Sequence, residues 1–313
     1  MTEQMNYQTG PAGPAPQYRQ PSMLGNLVKA EFRKTTTTGL WWGLMIPTVL
    51  IALGWALATG AIGKGLMDVV TSEDAEQLTD LIGISPDQWQ VSLFGMARSI
   101  NVATIFPMIF GGMAISNEIR HRTITTTFLT APTRVAALGA KMLVYVAWGA
   151  IYGLAIVAAV SIGIAITSDV DALPSAGGWL AMAGVGVLSS ILMTMFGVGV
   201  GALMTSVVGT TVVLLLYMLI IENGLQLVLS TQGLPELIGF LPNGAVNGLT
   251  GSVASSLFLS TAGVVPTELE DVLRAIAGAL GAFDWWLSGL IFLVWTGLFF
   301  LGGWAATQRR DIT

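Results

Sequence analysis

Long apolar runs alternate with short polar ones through most of this chain, and the runs define its elements. Six are long enough, or nearly so, for the roughly 20 residues that a helical bilayer crossing needs. They cover about 40–60, 93–116, 142–166, 179–204, 207–221 and 285–306, the fifth being the shortest. Trp41 and Trp42 open the first and Trp285 and Trp286 the last, as expected of aromatic residues at a membrane interface. Pro107 lies inside the second, predicting a kink that neighbouring helices can tolerate. The predicted fold class is an all-α membrane protein with six transmembrane helices.

Between the runs, the pattern predicts smaller elements. Residues 1–21 are rich in Pro, Gly and Gln, with no apolar run and no signal-peptide cleavage pattern, and read as a disordered N-terminal tail. In 22–38, Leu24, Leu27, Val28 and Phe32 recur at helical spacing, with Lys29, Arg33 and Lys34 toward the other side. This suits an N-terminal interfacial helix; a basic stop before the first span is the alternative. The turn at 205–208 is short enough to make spans four and five antiparallel neighbours. The outer loop 223–284 is long yet apolar, broken at Pro235 and Pro242. Thr267 and Glu270 form a capping box ahead of Leu269, Val272, Leu273, Ile276 and Leu280. Short helices are predicted there, either dipping into the outer leaflet or forming an amphipathic cap on the outer face.

Composition agrees with a membrane domain. Of 313 residues 53% are hydrophobic and 10% charged, against roughly 25% charged in soluble domains; mean hydropathy is +0.73. The net charge of −5 hides a segregation of signs. Lys29, Arg33, Lys34, Arg120, Arg122, Arg134, Lys141, Arg309 and Arg310 fall on one side of a six-span layout, against Lys64, Arg98 and Arg274 on the other. Lysine and arginine set orientation, so both termini are expected on the cytoplasmic side. No basic domain suggests nucleic acid as a partner. The absence of cysteine excludes disulfides, thiolate metal sites and thiol nucleophiles, and one histidine, His121, leaves little for a catalytic triad.

The candidate chemistry is sparse. The closest string to a phosphate-binding loop, ending at Lys64-Gly65, lacks the first glycine and the hydroxyl after lysine. ATP hydrolysis in this chain is therefore not expected. Gly39/Gly43, Gly149/Gly153 and Gly197/Gly201 have the spacing that lets helices approach closely, for internal packing or for an oligomer. Among ionisable groups near the spans, Glu118 is expected to pair locally with Arg120 and Arg122. Arg98, which would cost roughly 2.5–3.5 kcal/mol at a bilayer centre, is expected to reach the outer interface or an acid there. Glu222 is placed at the end of span five, at the water boundary or lining an outward cavity.

One polar island stands out, residues 117–141, with four of the thirteen Lys and Arg residues. Thr123–Thr127 is a β-branched run that should end span two in a bend, and Pro132 suits the first turn of a new helix. By charge alone this is a positive-inside loop. The order Asn117, Glu118, Arg120, Arg122, Thr123, then Leu129, Pro132, Arg134 and Lys141 resembles the segment between the second and third helices of ABC-2 type transporter permeases. The likeness extends over most of the chain: an amphipathic first helix ending in Glu31-Phe32-Arg33-Lys34, six spans, and a long outer stretch before the last. Arg122 departs from it, since many members have glycine before the threonine.

The resemblance implies one permease domain over 22–313, acting as the membrane-spanning subunit of an ATP-driven ABC-2 type transporter that exports a hydrophobic or amphiphilic substrate. It implies a coupling segment within 117–141 that docks a separate ABC ATPase subunit through Glu118, Arg120, Arg122, Thr123, Thr125, Phe128, Leu129, Pro132 and Arg134. The interfacial helix would contribute Lys29, Phe32, Arg33 and Lys34. ATP and magnesium would bind the ATPase, with no cofactor in this chain. A second permease, identical or different, would complete the transporter in a cell membrane, a bacterial plasma membrane by this reading. The competing expectation is a membrane anchor or regulatory subunit of an ATPase complex, without a transport path.

Overall fold

The computed structural model describes residues 23–72, 89–121, 133–204, 206–262 and 267–309. The expected N-terminal tail lies outside them, as do most of the acidic stretch after span one and residues 122–132 of the polar island. The described residues are helical, with no strand among them. In chain order the helices are α1 (Met23–Thr37), α2 (Leu40–Val70), α3 (Ser92–Ala103), α4 (Ile105–Arg120), α5 (Arg134–Thr167) and α6 (Ala176–Leu203). Next come α7 (Val207–Leu216), a π-helical turn at Tyr217–Ile221, and α8 (Glu222–Thr231), continuous with one another. The last three are α9 (Pro242–Ala262), α10 (Thr267–Ala277) and α11 (Trp285–Arg309).

Six helical stretches are long and apolar enough to cross a membrane: Leu40–Val69, Ser92–Arg120, Val135–Thr167, Ala176–Leu203, Val207–Thr231 and Trp285–Ala306. This is the architecture of a multi-pass membrane protein. The α3–α4 and α6 stretches are 78% and 72% buried within the chain, against 17–22% for the first, fifth and sixth, so they form the centre of the bundle. The outer helices turn Leu50, Leu154, Ile220 and Leu301 outward. Such faces suit acyl chains, since a bilayer gives no hydrophobic reason to bury them.

Small residues hold the central helices together. A Cβ on Gly197 would lie 2.0 Å from the Met108 carbonyl oxygen, and one on Gly111 2.0 Å from that of Thr194. Gly149 and Gly153 of α5 meet the α6 backbone at Ile191 and Val187, and Ser190 donates to the Gly149 carbonyl at 2.8 Å. The spaced glycines of spans three and four thus serve internal packing. Gly43 meets nothing within 4 Å and does not share that role. The break between α3 and α4 falls at Thr104, three residues before Pro107. Proline has no N–H to offer the Ala103 carbonyl, and the Thr104 hydroxyl instead donates to Asn101 O at 2.8 Å.

The stretch before the last span differs most from its sequence reading. Span five runs ten residues past Ile221 to Thr231, so Glu222 lies inside it and is buried. Beyond Thr231 a 3-10 segment, Pro235–Phe240, carries the chain back into the bundle. Asn243 then reaches the Met218 carbonyl (3.5 Å) and Asn223 (3.4 Å). Since Met218 is thirteen residues before Thr231, the chain has doubled back by about 20 Å. From there α9 runs 21 residues among α3, α6 and α11, burying Val246, Leu249 and Phe258. Where short helices were expected, one helix of 21 residues packs inside the bundle. At α10, Arg98 donates to the Ile276 and Ala275 carbonyls at 2.8 and 2.9 Å. It reaches the end of a helix, not an acid. Gly278, with φ of 86°, makes the left-handed turn that closes this helix, and the Ala279 amide bonds back to Arg274 O.

Candidate functional site: a buried charge joint

The polar island leaves and re-enters the helices at one point. There α1, the end of α4 and the start of α5 share four charged side chains: Glu31, Lys34, Glu118 and Lys141. Lys141 bonds Glu31 and also Glu118, the latter at 2.8 Å. Lys34 bonds Glu118 and lies 3.8 Å from Glu31. Glu31, Glu118 and Lys141 are buried, while Lys34 is partly open. Two carboxylates and two ammonium groups sum to zero, which lets the cluster persist where an isolated charge would be costly. Burial lowers the Lys34 pKa from its usual 10.5, the neighbouring Lys141 charge lowers it further, and Glu31 opposes both.

An aromatic cluster on Trp148 of α5 lies next to these charges. Phe32 stacks on it at 5.7 Å, Trp41 lies tilted at 5.5 Å, and Phe110 meets it edge-on at 5.7 Å. The Trp148 indole donates to the buried Thr35 hydroxyl at 2.9 Å, and the Tyr152 hydroxyl donates to the Trp41 carbonyl at 2.6 Å. α1 is therefore fastened to α5 by charge at Glu31 and by rings and a hydrogen bond one turn later. Thr133 caps α5, accepting from the Ala136 amide at 3.1 Å, so that helix starts just past Pro132.

The structure redistributes the expected site residues. Glu118 is at the joint, where lysines 84 and 23 residues away bond it; its expected pairing with Arg122 lies outside the described residues. Arg120 is exposed beside it. Arg122, Thr123, Thr125, Phe128, Leu129 and Pro132 lie outside the described residues, and Arg134 is described only as the first residue of α5. In α1, Lys29 and Arg33 are exposed, Lys34 joins the cluster, and Phe32 stacks on Trp148 while 39% exposed. The face that α1 turns inward carries Val28, Glu31 and Thr35, whereas Leu24 stays exposed.

The site residues expected from the sequence do not include Glu31, Thr35 or Trp148, although Glu31 belongs to the quoted end of the first helix. Glu31 carried a readable signal, being an acid that continues the stripe of Leu24, Leu27 and Val28. Chemically, the joint can hold three helix ends in a fixed relation and pass force between them; it presents no nucleophile. No group of three metal-ligating side chains forms among the described residues. No known protein family matches this chain, and no curated protein does.

Proposed function

We propose that the chain is the membrane-spanning permease subunit of an ATP-driven ABC-2 type transporter. The supporting observation is the joint itself. Both ends of the 122–132 segment leave from helices locked to each other and to α1 by the four charges. A partner that pushes on that segment moves α1, α4 and α5 together, and α4 packs along the central α6. A separate ATPase subunit, binding ATP and magnesium, docks there through Arg120, Arg122, Arg134 and the residues between them. In this reading the joint and both termini face the cytoplasm of a bacterial cell, and a second permease completes the path. An amphiphilic or hydrophobic substrate suits helices with so few charges. Two conformations that bind the ATPase differently supply the coupling.

Co-purification from native membranes, followed by ATPase assays in liposomes, tests this. The expected result is an associated ATPase that is lost when Arg120, Arg122 and Arg134 are all reversed to Glu. If the triple variant keeps the ATPase and its stimulation, the docking claim fails. An associated ATPase that never responds to any transported compound identifies an anchor instead.

A further inference from the structure

A polar pocket of about 130 Å³ opens between α3, the Val207–Thr231 helix and α9. It lies roughly 25 Å along α3 and α4 from Glu118. Arg98, Asn101, Asn223, Asn243 and Asn247 line it, with Met218 among its apolar residues. Arg98 is its one charged wall. The carbonyls of Ala275 and Ile276 orient the guanidinium without cancelling its charge, and no carboxylate among the described residues pairs with it. Glu222 does not line the pocket; its Oε1 accepts from the Gly244 amide at 2.8 Å.

Asn101 gives the second observation. It is 9% exposed, and its Oδ1 accepts from the Thr250 hydroxyl at 2.7 Å, which fixes the direction of the amide. Its Nδ2 has no hydrogen-bond partner. Buried donors are normally paired, so an unpaired one on a residue that lines the cavity points to a missing acceptor. Asn223 donates to the Leu219 carbonyl at 2.9 Å, whereas Asn243 is loosely held, reaching Asn223 at 3.4 Å and the Met218 carbonyl at 3.5 Å, at the limit for hydrogen bonds. The Asn243 amide can turn to a better acceptor without losing much.

We propose that this pocket binds the anionic head group of an amphiphile, a carboxylate or a phosphate, between Arg98 and the Asn101 amide. Its volume of about 130 Å³ leaves room for a head group. A larger apolar chamber of about 170 Å³, walled by Ile62, Phe94 and Phe258, shares Arg98 with it. That chamber offers room for the apolar part. The inference deepens the permease reading by naming a substrate class. It is tested by binding to the full chain alone, so its failure leaves ATPase docking intact, and loss of docking leaves the pocket intact.

The test is isothermal titration of the full chain, in an uncharged detergent, with decanoate, decyl phosphate, decanol, decylammonium and inorganic phosphate. At least one decyl anion should bind, with decanol at least about tenfold weaker, the range for a lost charge-assisted hydrogen bond. The decyl anion should also bind more tightly than inorganic phosphate, which separates an amphiphile site from a free-anion site. N101D keeps an acceptor for Thr250 but replaces the donor with a carboxylate oxygen, and should weaken anion binding about tenfold or more. N247D, on a separate helix, should act in the same direction, and thermal melting checks that either variant is folded. Equal affinity in wild type and a folded variant overturns the proposal. So does decanol matching the anions, a preference for decylammonium, or inorganic phosphate binding as tightly as decyl phosphate.

Discussion

Lys141 and Glu31 meet across 110 residues of sequence, both buried, joining a point about two turns into α5 to the middle of the N-terminal helix. Through Glu118 the same lysine also reaches the end of α4. This contact makes α1 part of the bundle rather than a strip lying beside it.

Breaking the joint on one side should be worse than removing it from both. Lys141→Met leaves two buried carboxylates, and a cost of roughly 3–5 kcal/mol is expected for an orphaned buried charge. Lys141→Met combined with Glu31→Gln should recover part of that loss. Melting of the purified variants in detergent measures it; additive losses would mean that the two residues do not act as a pair.

Lys34 supplies a pH signature. Its lowered pKa makes the free amine available below pH 10.5. The unfolded chain binds the proton more tightly between the folded value and 10.5, so this group favours the folded joint as pH rises through that window. Amine labelling read by mass spectrometry should show a Lys34 midpoint below 10.5. In Lys141→Met the midpoint should move upward, because a repelling cation is gone. A downward shift would contradict the arrangement.

Much of this fold was legible in the sequence because apolar runs report span length directly. The last span, 285–306, matches the structure, and Pro107 correctly foretold a break in span two. What remained hidden depends on contacts between distant segments. The end of span five was misplaced because Glu222 and Asn223 look like a water boundary, whereas the Gly244 amide and Gln226 both bond Glu222 Oε1 inside the bundle. The α9 helix carries hydroxyl side chains that bond backbone carbonyls, as Ser255 and Ser256 do, or Asn101, as Thr250 does. The lysines that bond Glu118 come from other helices, Lys34 from α1 and Lys141 from α5, and nothing local in the sequence announces them.

Glu222 should accept one replacement and reject another. Glu222→Gln keeps an acceptor for the Gly244 amide, whereas Glu222→Leu leaves that buried donor unpaired at a cost of about 1–3 kcal/mol. Melting should be near wild type for the first and clearly lower for the second. The reverse order would place Glu222 outside the α9 anchor.

The glycines should separate by their surroundings. Gly197→Ala forces a methyl onto the Met108 carbonyl and should cost at least the ~1–3 kcal/mol typical of overpacking. Gly43→Ala meets open space and should leave melting unchanged or slightly raised. Equal effects at the two sites would mean that α4 and α6 do not pack as described.

The most direct test of the permease reading is photocrosslinking from the polar island in native membranes. A photoreactive phenylalanine at Phe128, with a second chain labelled at Leu290 as a lipid-facing control, reports what the segment touches. The account predicts a crosslinked partner from position 128 that itself binds azido-ATP, and none from position 290. Failure of position 128, and likewise of Thr125 and Leu129, to capture any nucleotide-binding protein would contradict it.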